Sequence, residues 1–139
     1  MNIKIKKIHE DAVVPYYASA GAACFDLVAI EDVMLNNTGT FRTGLSFEVP
    51  SGYVMLVFSR SGHGFKDDVR LSNCVGVIDS DYRGEVMVKL RADQNRKAYY
   101  KGNRIAQALI LPVAQVEFTP VDNLGVTDRG SGGFGSTNP

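Results

Sequence analysis

Apolar residues in this chain recur at every second position, in short runs that turn signals keep breaking, and that period rules out a mostly helical fold. Ile3 and Ile5 alternate with Lys4 and Lys6, and Phe41, Leu45, Phe47 and Val49 stand against Arg42, Ser46 and Glu48. Val86, Val88 and Leu90 face one way while Glu85, Lys89 and Arg91 face the other. A side-chain period of two belongs to a strand with one face buried. The unbroken apolar run at residues 53–58 predicts a fully buried strand. Turn signals separate these runs: Asn36-Asn37-Thr38-Gly39, Pro50-Ser51-Gly52, Arg83-Gly84 and Lys101-Gly102-Asn103. Residues 104–111 hold good helix formers, but their neighbours make a strand the better reading. Short strands with frequent turns predict an all-β domain, a sandwich or jelly roll.

With 139 residues, 45% of them hydrophobic, the chain can build one core but not two. Lys plus Arg and Asp plus Glu both total 15, so no global field draws nucleic acid or an anionic membrane, and any phosphate binding must be local. Cys24 and Cys74 have no second thiol nearby, which argues against a zinc knuckle, a CxxC pair or a disulfide framework. Residues 1–8 lack an apolar signal core and no later stretch approaches a membrane span, so a soluble, cytoplasmic protein is expected. The one compositional shift comes at residues 125–139, where Gly125, Gly130, Gly132, Gly133 and Gly135 crowd together. Residues 1–124 are therefore read as the core and 125–139 as a glycine-rich tail.

Five segments could carry chemistry. The tail literally satisfies GxGxxG at Gly130, Gly132 and Gly135, but that fingerprint needs a following helix and a later acidic residue, and the sequence stops at Pro139. What remains is Arg129, a glycine-rich run, Phe134, Ser136 and Thr137: either a disordered tail, or a nucleotide lid with charge, donors and an aromatic cover. Ser59-Arg60-Ser61-Gly62, after the buried strand, reads as a surface turn or as a phosphate clamp. Residues 73–85 read as a β-hairpin in which Asp79, following apolar Val77 and Ile78, could be a partly desolvated general base. Tyr82 could stack on a sugar or pack in the core. Gln107 and Asp26, each in apolar surroundings, need hydrogen-bond partners.

In this order the five segments resemble the trimeric dUTPase family, over nearly the whole stretch from residue 20 to 137. The resemblance implies a distorted jelly roll, the β-clip of that family, assembled as a homotrimer, with residues 125–139 as a mobile arm that closes the active site. It implies hydrolysis of dUTP to dUMP and pyrophosphate with Mg²⁺ on the triphosphate. Asp79 matches the carboxylate that activates water, and Tyr82 the tyrosine that packs on deoxyribose. Asn73, Val77, Ile78 and Met87 match the slot for uracil. Arg60, Ser61 and Gly62 match the phosphate-binding turn, Gln107 a phosphate-holding and water-holding glutamine, and Asp26 a residue linked to the metal through water. In the arm, Arg129, Ser136 and Thr137 match phosphate contacts, while Phe134 and Gly135 match the part that covers the base. Cys24 and His63 depart from the family, which often has glycine and leucine there.

Rival readings are a dCTP deaminase on the same fold, a regulatory protein that binds a protein partner in response to nucleotide, and a ligand-free β-sandwich. The deaminase would attack the base and release ammonia. The third leaves the joint occurrence of five segments unexplained.

Overall fold

The computed structural model describes residues 1–93 and 96–135. In chain order the described residues form β1 (Lys4–Lys7), β2 (Phe25–Val28), β3 (Val33–Leu35), β4 (Thr38–Arg42), β5 (Leu45–Glu48) and β6 (Tyr53–Phe58). There follow α1 (Ser61–Asp67), β7 (Val69–Leu71), β8 (Gly76–Ile78), β9 (Met87–Ala92), β10 (Lys97–Tyr99) and β11 (Arg104–Pro112). The expected all-β, jelly-roll-like architecture is present, and every ladder is antiparallel.

A four-stranded sheet in the order β2-β11-β6-β8 lies against a three-stranded sheet β4-β9-β7, with the pairs β1-β5 and β10-β3 alongside. Between them the alternating residues meet: Leu27, Leu35, Phe41, Leu45, Met55 and Ile105 are all at most 1% exposed. Burying one such side chain contributes about 1.5–3 kcal/mol. Strand β9 shows the anticipated alternation most clearly, with Val88, Leu90 and Ala92 buried and Met87, Lys89 and Arg91 outside. The run at residues 41–49 is two strands, because the chain turns at Thr43-Gly44. Gly44 has a φ of +66°, and a Cβ there would lie 2.9 Å from the Cβ atoms of His9 and Ala12.

Three expectations need correction. Strand β6 is not fully buried: Met55 and Val57 face the core, while Val54, Leu56 and Phe58 are only partly covered within a single chain. The predicted turn at Ser59-Arg60-Ser61-Gly62 runs into α1, a helix that two glycines conceal from propensity arguments, and Asp68 in the left-handed conformation ends it. Residues 73–85 do not make a bonded hairpin, since β8 pairs with β6 and β9 pairs with β4 and β7. The two strands go to different sheets and leave a gap between them.

Past Pro112, residues 113–135 add no strand. After the bond from Val113 N–H to the Gly52 carbonyl, the backbone hydrogen bonds among the described residues are local turns. No helix among these residues is long and apolar enough to cross a membrane.

Candidate active site

Two groups of polar residues lie at opposite ends of β6. The first forms where β6 leaves its sheet. Asp26 on β2 is the direct cross-strand partner of Gln107 on β11, and Gln107 in turn sits opposite Phe58. That register delivers the Gln107 amide to the exit of β6, where its Nε2 donates to the Ser59 carbonyl at 3.0 Å. Arg60 Nε donates to Asp26 Oδ1 at 2.8 Å, and Arg104 Nη1 to Asp26 Oδ2 at 3.1 Å. The Asp26 side chain is 12% exposed, so two guanidinium groups clamp a nearly buried carboxylate. The N–H groups of His63 and Gly64 donate to the Arg60 carbonyl. Those of Ser61 and Gly62, in the first turn, have no intrahelical acceptor and can serve an anion.

A space of 360 Å³ adjoins this end, lined among others by Arg60, His63, Lys97, Tyr99 and Arg104. The His63 and Tyr99 rings meet edge-on at 5.1 Å, and both His63 Nδ1 and the Tyr99 hydroxyl are buried without a partner. Burial, helped by Asp67, pushes the Tyr99 phenol up to about 12. Burial, with repulsion from Arg60, holds the His63 imidazole below its ordinary value. Cys24 is half-buried, and burial together with Asp26 raises its thiol, which keeps it a poor nucleophile.

The second group surrounds the gap between β8 and β9. Strand β8 is the outer strand of its sheet, so the backbone groups on its far side have no strand partner among the described residues. They face a space of 420 Å³ that Asn73, Gly76, Val77, Ile78 and Met87 help to line. A neighbouring space of 250 Å³ is bordered by Asp79, Tyr82, Glu85 and Met87. One slot offers unpaired peptide groups; the next offers a carboxylate and an aromatic ring.

The turn that carries Asp79 and Tyr82 is braced from outside. Arg83 Nη1 donates to the Ser80 and Tyr82 carbonyls at 2.7 and 3.0 Å, and the Ser46 hydroxyl lies 2.6 and 2.7 Å from the Arg83 and Gly84 carbonyls. Glu85 accepts from Arg42 Nε and from the Gly44 N–H, and buried Thr43 donates to the Val86 carbonyl at 2.6 Å. The Tyr82 hydroxyl donates to the Glu85 carbonyl at 3.0 Å, laying the ring across Gly84. A Cβ at Gly84 would overlap that hydroxyl and lie 2.6 Å from the ring carbon bearing it. Asp79 is exposed in the single chain, not partly desolvated as expected, because it opens the turn beyond an outer strand.

The fold thus brings Asp26, Arg60, Ser61, Gly62 and Gln107 to one place, and Asn73, Val77, Ile78, Asp79, Tyr82 and Met87 to another. It does not bring the two together. Ile78 is opposite Met55, and Arg60 lies five residues further along. At about 3.3 Å per residue the separation is roughly 15–20 Å. Arg129, Phe134 and Gly135 lie in the exposed tail, with Phe134 entirely open to solvent. Ser136 and Thr137 lie outside the described residues. Sequence reasoning gave no role to Arg104, although an arginine three positions before Gln107 on one strand was a visible signal. It also passed over Glu85 and Ser46, whose importance depends on long-range contacts.

No group of three or more His, Cys, Asp or Glu side chains converges among the described residues in a way that could hold a metal ion. A divalent ion would therefore take most of its ligands from a bound phosphate chain, with a lone carboxylate such as Asp26 near it.

The family model described as dUTPase matches residues 10–138. A deoxyuridine 5'-triphosphate nucleotidohydrolase of Nautilia profundicola is 46% identical, the match covering 99% of each chain. One of Helicobacter hepaticus is also 46% identical, over 99% of this chain and 89% of the relative. The solved structure of Staphylococcus bacteriophage 80alpha dUTPase with dUPNHPP superposes with a TM-score of 0.87 at 25% identity, covering 99% of both chains. The chain belongs to the dUTPase family.

Proposed function

We propose that this chain is a dUTP diphosphatase, cleaving dUTP to dUMP and pyrophosphate with Asp79 as general base. The observation that carries the reading is the slot between β8 and β9, with a carboxylate and a tyrosine at its rim. The unpaired peptide groups of β8, with the Asn73 amide, offer a pyrimidine edge both donors and acceptors. Met87 and Ile78 bound the slot, where they would meet a 5-methyl group. Tyr82 lies against the sugar and disfavours a 2′-hydroxyl. Asp79 takes a proton from water as the water oxygen attacks the α-phosphorus, the bond to the bridging oxygen breaks, and pyrophosphate departs. Arg60, Ser61, Gly62 and Gln107 hold the phosphates in line, and charge neutralisation there lowers the barrier to attack. Mg²⁺ bound to the triphosphate would supply further neutralisation, and Asp26 is the carboxylate that would lie nearest it.

The homotrimer of this proposal is supported by the same geometry. Within one chain the phosphate group and the base slot are too far apart to share a nucleotide, so the phosphate-binding residues come from a neighbouring subunit. The half-covered outer face of β6 and the exposed Val116, Phe118 and Leu124 support such contact, because they leave apolar surface for a second copy to bury. Residues 125–139 then act as the arm, with Arg129, Ser136 and Thr137 on the phosphates and Phe134 and Gly135 over the base. Free Cys24 and Cys74 suit a reducing, cytoplasmic setting.

The test is Asp79→Asn. Binding of a nonhydrolysable dUTP analogue should stay within a few-fold of the unaltered protein, while turnover falls by about 10²–10⁴. Near-normal turnover would remove Asp79 from the role.

A further inference from the structure

Strand β11 carries an irregularity whose effect falls on one side chain. Ala108, Gln107 and Ala106 pair in regular succession with Phe25, Asp26 and Leu27, but Val28 stands opposite Arg104 instead of Ile105. One extra residue therefore sits in β11 at this point, a β-bulge. Counted back from Gln107 by the strand period of two, Ile105 would share the face of Asp26, and Arg104 would face the core. The bulge reverses that order. Ile105 and Ala106, although adjacent, are both fully buried, and Arg104 emerges on the face of Asp26, where its Nη1 donates to Asp26 Oδ2 at 3.1 Å.

We propose that Arg104 is a positioning residue, which keeps Arg60 available to phosphate by occupying the far oxygen of the carboxylate they share. This assignment rests on the reading of this end of β6 as the phosphate site. Arg60 meets Asp26 through Nε alone, at Oδ1. A guanidinium and a carboxylate left to themselves favour two parallel hydrogen bonds. Such a fork would draw a terminal nitrogen of Arg60 onto Oδ2 and withdraw it from an incoming anion. Arg104 on Oδ2 opposes the fork and leaves the terminal nitrogens of Arg60 free. It also offsets the carboxylate, so that Asp26 with its two arginines keeps a net positive charge. The bulge is what makes this possible, because an unbroken strand would turn Arg104 toward the core.

The test measures binding of a nonhydrolysable dUTP analogue and of dUMP to Arg104→Met and Arg104→Lys, each made in the unaltered protein and in Asp26→Asn. Arg104→Met should weaken the analogue about tenfold, the scale of one lost charge-assisted contact, and dUMP, with one phosphate, much less. Arg104→Lys, which still places a donor on Oδ2, should recover most of the affinity. In the Asp26→Asn background the carboxylate that could hold Arg60 back is gone, so Arg104→Met should then cost at most about threefold. An equal loss in both backgrounds would mean that Arg104 touches the phosphates itself, and would overturn the assignment. Equal losses on dUMP and the analogue, which general damage to the fold would give, would also overturn it, as would no loss at all. If the unaltered protein does not bind the analogue, the reading of this end as the phosphate site fails, and the assignment with it.

Discussion

Burial favours the neutral His63 imidazole, and the Arg60 guanidinium adds to that preference. In the unfolded chain His63 takes up a proton near its ordinary 6.5; in the folded chain it does so only at lower pH. Above 6.5 both states are neutral and the group has no effect on stability. As pH drops below 6.5 the unfolded state gains the proton first, so stability declines until the folded imidazole is also protonated. Replacing His63 with Leu removes this loss. Urea unfolding between pH 7.5 and 5 should show the unaltered protein weakening relative to His63→Leu as acidity rises, and parallel curves would contradict it. The same residue shows where reading the sequence stopped. His63 could be marked as a departure from its family, but its contact with Tyr99 joins residues of α1 and β10 that no local pattern connects. Asp79 and Tyr82 stood out as candidates because turn residues and residues suited to the proposed chemistry coincide in one short segment, whereas the brace from Ser46, Arg42 and Thr43 depends on pairings about forty residues away.

At the scale of elements, alternation exposed β9 and the strands around Ile5 and Phe47, since a half-buried strand writes its two faces into the sequence. Helix α1 was missed because Gly62 and Gly64 suppress helix propensity, and packing overrides that preference. The hairpin expectation was half right: the turn is there, but β8 and β9 splay into separate sheets, and the resulting gap is the candidate base site. The tail is the element whose role most needs testing. Ending the chain after Asp128 should leave the unfolding midpoint almost unchanged, since residues 129–135 are almost wholly exposed, yet reduce turnover by at least about a hundredfold, the scale set by losing preorganised phosphate contacts. Co-assembly of that shortened chain with full-length Asp79→Asn should recover activity, because intact arms then reach intact carboxylates. No recovery would place arm and carboxylate on one chain, and an unaffected rate in the shortened protein would deny the tail any catalytic role.

For the whole molecule, one compact core was readable from length and apolar content, but the number of subunits was not. Distance argues for assembly: Arg60 and Asp79, which the proposal places in one reaction, sit at opposite ends of β6, so on that reading a single chain holds two half-sites. On the proposed reading assembly joins them, so that a water beside Asp79 reaches the α-phosphorus of a nucleotide whose phosphates rest against Arg60. The decisive measurement is product analysis after incubation with dUTP and Mg²⁺ in ¹⁸O-labelled water. The account predicts dUMP carrying the label on its phosphate, with unlabelled pyrophosphate. Intact dUTP, dUDP with inorganic phosphate, or label recovered in the pyrophosphate would contradict it.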